Sequence, residues 1–187
     1  MQLIGLKLKY FAKDQLRDGR VLDIRSIIPE DKPILAEGMH HLSPASLYYR
    51  FLTPKRELTD KELAYFTEVD FFHHVALLAS IEEDGKILPA GVARYVMPST
   101  NATEAEIAFA VNEEYQGLGI ATVLLKHLTK IAKGNSIKTF TALVLPDNHK
   151  MLDVLKHSQM PMKSFMNTTG VLQVNLELVD PNAKSLD

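Results

Sequence analysis

The chain has no cysteine, which excludes disulfides, thiolate chemistry and cysteine-based zinc sites. It has no apolar run long enough to cross a bilayer. It has little net charge, −2 over 187 residues, so nothing in the overall balance invites nucleic acid or an anionic membrane. The first residues, Met1-Gln2-Leu3-Ile4-Gly5-Leu6-Lys7, are too interrupted by charge for a signal peptide. Without secretion, Asn101-Ala102-Thr103 and Asn167-Thr168-Thr169 carry no meaning as glycosylation patterns. Repeats, linkers and low-complexity segments are also missing. These absences point to an ordinary cytoplasmic protein, long enough for one domain with a sizeable core.

What is present is an ordered succession of short periodic segments. Leu3 to Phe11 is expected as a strand, followed by an Asp18-Gly19 turn and a second strand from Val21 to Ile27. Pro29-Glu30-Asp31 starts a helix whose apolar face is Ile34, Leu35 and Met39. A short helix follows Ser43-Pro44, and a third runs from Thr59 to Thr67, where Thr59 and Glu62 have capping-box spacing. Val75 to Ile81 and Ile87 to Val96 form a hairpin around Asp84-Gly85, and Glu104 to Val111 is the next strand. A helix from Thr122 ends near Gly134, a strand covers Ile137 to Leu145, and a helix covers Asn148 to His157. Met162 to Asn167 and Val171 to Leu178 close the chain as a hairpin about Thr168-Thr169-Gly170. The pattern is α/β, with antiparallel hairpins around a strand–turn–helix–strand unit.

The most informative stretch is Gln116-Gly117-Leu118-Gly119-Ile120-Ala121, between a strand and a helix. A glycine-rich turn there leaves backbone N–H groups unpaired and pointing one way, and the helix dipole adds positive potential. A phosphate or pyrophosphate is the natural ligand, and the absence of Cβ atoms lets it approach the backbone. The dinucleotide fingerprint does not fit. Its third glycine is missing, and the following strand ends Val144-Leu145-Pro146 without an acidic residue. No Gly-Lys-Ser/Thr closes a Walker A loop.

Gln116-x-x-Gly119-x-Ala121 resembles the [Arg/Gln]-x-x-Gly-x-[Gly/Ala] signature of the GNAT N-acetyltransferases, and the order of elements matches from Val21 to Leu178. The resemblance implies an α/β (α+β) fold with a central, mostly antiparallel mixed sheet, splayed at the acetyl-CoA site. It also implies three segments: an N-terminal extension and strand over 1–20, the acetyltransferase domain over 21–180, and a flexible tail over 181–187. The backbones of Phe109 and Val111 are expected to bond the pantetheine arm. Gln116, Gly117, Leu118, Gly119, Ile120, Ala121 and Thr122 are expected at the pyrophosphate, with Asn148 facing the cofactor. Acetyl-CoA is then the co-substrate, with no metal.

A narrower resemblance is to bacterial protein lysine acetyltransferases that modify acyl-CoA synthetases. It is carried by Leu16-Arg17-Asp18-Gly19, Ile24-Arg25-Ser26-Ile27-Ile28-Pro29-Glu30-Asp31, Leu42-Ser43-Pro44-Ala45-Ser46-Leu47-Tyr48-Tyr49-Arg50-Phe51, Glu104-Ala105-Glu106-Ile107-Ala108-Phe109 and Leu145-Pro146-Asp147-Asn148-His149-Lys150-Met151-Leu152. Many such relatives carry a fused regulatory domain, for which this chain has no room. It departs from them in Ser158-Gln159-Met160-Pro161, where Gly-Phe is usual. The helix after Asn148 also lacks the tyrosine that serves relatives as general acid. Water or His157 is left for that role.

By the same resemblance Glu106 is the expected general base. Alternation puts Glu104, Glu106, Ala108 and Ala110 on one face of their strand and Ile107, Phe109 and Val111 on the other. Glu106 lies deeper in the strand than Glu104, so it is expected in the cleft. Lysine, with a reference pKa of about 10.4, must lose a proton before it attacks a thioester, and backbone amides are the natural oxyanion donors. Tyr48, Tyr49 and Phe51 are expected in the core, and Arg50 orders a carboxylate or positions its helix. His40-His41 and His73-His74 point apart and make no metal site. Met151, Met160, Met162 and Met166 read as core filler, and Asp60-Lys61-Glu62 as a solvated helix start. The leading function is protein lysine Nε-acetylation, with no nucleic-acid or membrane partner. The alternatives are acetylation of a small amine and a non-catalytic acyl-CoA sensor.

Overall fold

A computed structural model describes residues 9–99 and 102–178. The expected strand residues Leu3 to Leu8, Asn101 and the 181–187 tail lie outside them. Strands β1 (Phe11–Gln15), β2 (Val21–Ser26), β3 (His74–Glu83), β4 (Lys86–Val96), β5 (Glu104–Val111), β6 (Thr139–Val144), β7 (Met162–Met166) and β8 (Leu172–Glu177) form one sheet. Their order is β1-β2-β3-β4-β5-β6-β8-β7. Every pairing is antiparallel except β5 with β6. The first described strand therefore begins at Phe11, where a strand was expected to end. Phe11-Ala12-Lys13-Asp14-Gln15 has little apolar alternation because it is an outer strand, and its pairing with β2 outweighs its weak intrinsic signal.

The helices are α1 (Lys32–Gly38), α2 (Pro44–Phe51), α3 (Asp60–Thr67), α4 (Ile120–Gly134) and α5 (His149–Lys156). The Pro29 start is a 3-10 turn leading into α1. Ser43 caps α2 by accepting from Ser46 N–H, and Thr59 with Glu62 forms the expected capping box on α3. Glu62 also takes Lys55 at 2.6 Å, so this helix start is more engaged than a purely solvated one. Helix α4 ends at Gly134, but the left-handed residue beyond it is Ser136, with φ 62°.

Two apolar layers follow from strand alternation. One sheet face carries Leu22, Ile24, Val75, Leu77, Tyr95, Ile107, Phe109 and Phe140. It is covered by α4 through Ile120, Leu124, Leu125, Leu128 and Ala132, a stripe at helical spacing. The opposite face carries Ala76, Leu78 and Val92, covered by Leu35 and Ile34 of α1 and Leu63 and Phe66 of α3. Arg25 clamps the entry to α1, its Nη1 and Nη2 each donating to Asp31 at 2.7 Å. Met151, Met160 and Met162 pack against the first layer as expected, whereas Met166, on the outer strand β7, is 55% exposed.

Gly91 of β4 fixes how closely β5 and α4 approach. A Cβ there would sit 3.0 Å from the Ala110 carbonyl oxygen and 3.3 Å from side-chain atoms of Ile120 and Val111. Gly91→Ala is therefore expected to destabilise the fold by about 1–3 kcal/mol, the usual range for overpacking. It is also expected to weaken acetyl-CoA binding, because Ile120 opens the helix that follows the glycine turn. Chemical denaturation and a cofactor titration on the same variant check both; an unchanged midpoint would show that β4 yields freely.

Candidate functional site

Strands β5 and β6 start as neighbours and then part. Their parallel register runs from Glu104↔Thr139 to Glu106↔Thr141. Beyond it β5 stays with β4 as far as Val111↔Gly91, and β6 stays with β8 as far as Val144↔Leu172. A wedge-shaped gap opens between Ile107–Val111 and Ala142–Val144. Asn112 N–H donates to the Ala90 carbonyl at 3.0 Å, so by alternation the backbones of Phe109 and Val111 turn away from β4 toward the gap. Buried backbone groups demand partners, and an extended chain bearing amides supplies them. The Val111 carbonyl is already taken by Gln116 Nε2 at 3.2 Å, leaving its N–H.

At the wide end of the gap lies the glycine turn. Gly117 and Gly119 have φ of 82° and 92°, the left-handed region that favours glycine. Gly119 is the N-cap of α4 and supplies no side-chain cap. Among the described residues no protein acceptor serves the N–H groups from Gly117 to Thr122. That cradle, at the positive end of a 15-residue helix, fits a pyrophosphate. The side chains of Ile120 and Leu118 pack inward, so these positions offer backbone alone.

Gln116 is held from both ends. Its Nε2 reaches the Val111 carbonyl and Ser46 Oγ, and its Oε1 accepts from Lys150 Nζ at 2.7 Å. Ser46 Oγ in turn donates to Glu113, which also accepts from Ser43 N–H. This network ties α2, the turn and α5 together. Asn148 spends its Oδ1 on capping α5, accepting from Met151 N–H at 3.2 Å. No local pattern in the sequence marks Lys150, Glu113, Ser43 and Ser46 as partners of the turn, nor Arg17. That arginine reaches over from the β1–β2 turn and lies 3.6 Å from where a Gly119 Cβ would stand.

Glu106 is the last β5 residue paired with β6, so it marks the vertex of the gap. Burial does not separate it from Glu104, since both are exposed; position at the vertex does. Across the same sheet face, Arg94 of β4 is 4% exposed and pairs in register with Ala108. Its Nη1 donates to the Phe66 carbonyl at 3.3 Å and to His74 Nε2 at 3.1 Å, and its Cζ lies 4.3 Å from the Phe66 ring centroid. Arg50 stacks on Phe51 and Phe66 at 5.0 and 5.8 Å and bonds no carboxylate among the described residues. Phe51 lines a cavity with these residues, while Tyr48 is 43% exposed, against the expectation of core. His157 is exposed at the end of α5, its Nδ1 on the Asp153 carbonyl. His41, His73 and His74 meet Glu37, Asp70 and Arg94 respectively. Among the described residues no group of three or more His, Asp or Glu side chains could hold a metal ion.

A guanidinium only donates, so His74 must be neutral to accept from Arg94. Burial, and next the Arg94 cation, depress its pKa to about 4. The unfolded chain, with His near 6.5, then binds more protons, so stability present above about pH 6.5 is lost as pH falls toward 4. The melting temperature is expected to drop across that window, and more gently in His74→Gln. Parallel curves would show that His74 does not carry the effect.

Residues 37–158 match the acetyltransferase (GNAT) family. An acetyltransferase of Pseudomonas aeruginosa is 30% identical over 141 residues, 75% of each chain. Acetyltransferase Pat of Mycolicibacterium smegmatis is 31% identical over 88% of this chain and 45% of its own length. The crystal structure of the GNAT domain of S. lividans PAT superposes with a TM-score of 0.80 at 32% identity, covering 89% of this chain and 96% of that one. The family match covers more than half of the chain and the fold superposes over most of it, so the chain belongs to the GNAT family of acetyl-CoA-dependent acetyltransferases.

Proposed function

We propose that the protein is a cytoplasmic lysine Nε-acetyltransferase acting on a protein target of the acyl-CoA synthetase type, by direct transfer with Glu106 as base. The observation that carries the mechanism is the position of Glu106 at the vertex of the gap, exposed to an incoming acceptor. The acyl-CoA supplies the activated acetyl group. The turn from Gly117 to Thr122 receives its pyrophosphate, and the edge of β5 at Phe109 and Val111 holds its pantetheine arm in line with Glu106. Glu106 accepts the ammonium proton of the acceptor, directly or through one water, freeing the lone pair for attack. Backbone N–H groups at the gap stabilise the developing oxyanion. Collapse of the tetrahedral adduct breaks the C–S bond; the nitrogen gives its second proton to solvent, Glu106 releases the first, and coenzyme A leaves as a thiolate that takes its proton from water. The choice of a protein acceptor is supported by the likeness to Pat and to the S. lividans PAT domain.

The test is transfer of labelled acetyl from acetyl-CoA to a purified acyl-CoA synthetase, with mass mapping of the modified residue. One labelled lysine is the expected result. Binding of acetyl-CoA without label on the synthetase would overturn the target and move small amines forward.

A further inference from the structure

Between the sheet and helices α1–α3 lies a cavity of about 60 Å³. Its lining is apolar, including Leu35, Phe51 and Leu78, apart from two guanidinium groups and Asn112. Arg94 is buried and has no carboxylate partner among the described residues; its bonds go to a carbonyl and a neutral imidazole. Arg50 likewise forms no ion pair among them. Both cations share the Phe66 ring. A cation–π contact offsets only a small part of the cost of desolvating an ion. Two like charges facing one apolar cavity are therefore an arrangement short of an anion.

Burial marks both guanidinium groups, and Arg50 marks Arg94 in addition. The Arg94 pKa falls to about 9, through desolvation first and then Arg50. Desolvation lowers Arg50 to about 10, and the charge that most opposes this is Glu106. The cavity is thus electrically adjacent to the base. In register, Arg94 pairs with Ala108, two residues from Glu106 on the same strand face, or roughly 7 Å.

We infer that this cavity is a binding subsite for a carboxylate on a short apolar stem. Its size sets the stem. A water needs about 10–15 Å³ on this measure, so the space takes a carboxylate and one or two carbons, as in an aspartate or glutamate side chain. The paired guanidinium forks supply charge-assisted, directional donors for it. A phosphate dianion would leave much of its oxygen surface against aliphatic carbon. The source of the carboxylate rests on the function proposed above: either an acidic side chain next to the target lysine, or the carboxylate of a small amine acceptor.

Two sets of measurements test this on the full chain. The first is independent of catalysis: the melting temperature with sodium propionate against propionamide plus sodium chloride at equal ionic strength. Propionate is expected to raise it in the wild type and not in Arg94→Met or Arg50→Met. The second variant keeps the test decisive should the first not fold. No propionate effect, or the same effect in both variants, overturns the subsite. The second set compares acetylation of a lysine peptide flanked by Glu with its Gln counterpart, and of a free amino acid with its amide. At least a tenfold preference for Glu, lost in Arg50→Met, assigns the subsite to a docking protein. The same preference among free amino acids assigns it to a small acceptor. If neither acceptor is acetylated, the functional reading fails while the propionate shift still decides the subsite.

Discussion

Glu106→Gln is expected to lower kcat by about 10²–10⁴-fold, the usual contribution of a positioned general base, while leaving acetyl-CoA affinity unchanged. The amide keeps the shape of the side chain at the vertex of the gap but cannot take a proton near neutral pH. The cofactor cradle lies elsewhere, at Gly117 to Thr122, so binding and turnover separate cleanly. Glu104→Gln, one step of the alternation away and equally exposed, is the matched control and should retain near-normal kcat. Single-turnover acetylation, with acetyl-CoA affinity measured by calorimetry, gives both numbers. Equal losses in the two variants would show that net charge on this face, rather than proton transfer, sets the rate. A Glu106→Gln enzyme with normal kcat would remove it as base outright.

The second large effect is expected at Gly119→Val. With φ at 92°, a β-branched residue costs about 1–3 kcal/mol in backbone strain. Its side chain also meets Arg17, whose Nε lies 3.6 Å from the Cβ position. The KM for acetyl-CoA is expected to rise by about 10–100-fold, because the added side chain and the shifted backbone disturb the N–H groups that hold the pyrophosphate, a loss of roughly 1.4–2.8 kcal/mol of binding. Strain alone would do nothing specific to the ligand, so Gly170→Val provides the comparison. Its φ of 78° imposes a similar cost in the β7–β8 turn, far along the chain from the cradle. Gly170→Val should lower the melting temperature and spare KM. If both variants change KM alike, the cradle is not the binding element.

The site was legible in the sequence where chemistry and local geometry coincide. A glycine turn between a β-forming run and an amphipathic stripe has one backbone solution, and its free N–H groups follow from that solution. The alternation of Glu104 to Val111 fixed which residues face which layer, because a strand has a period of two and nothing else to choose. What stayed hidden is non-local. Gln116 carries no sign that Val111, Ser46 and Lys150 will occupy its whole amide. Nothing in Leu16-Arg17-Asp18 says that the arginine will cross to Gly119. Arg94 sits in Val92-Ala93-Arg94-Tyr95-Val96 like a charge on a solvated face, yet α3 closes over it. Strand β1 was displaced for the same reason: an outer strand takes its register from its neighbour and needs little pattern of its own. Asn148 was placed correctly at a helix start, where its oxygen serves the helix.

The gap between β5 and β6 also bears on how long the molecule lasts in a cell. A sheet that parts at Glu106 leaves hydrogen-bonding capacity that only a visiting molecule fills, so the folded state is completed from outside. At a hundred times its dissociation constant, a ligand of the native state alone adds about 2.7 kcal/mol. That is roughly a hundredfold fewer chains open to a protease at any moment. The lifetime of this enzyme is therefore expected to rise and fall with the supply of acetyl-CoA.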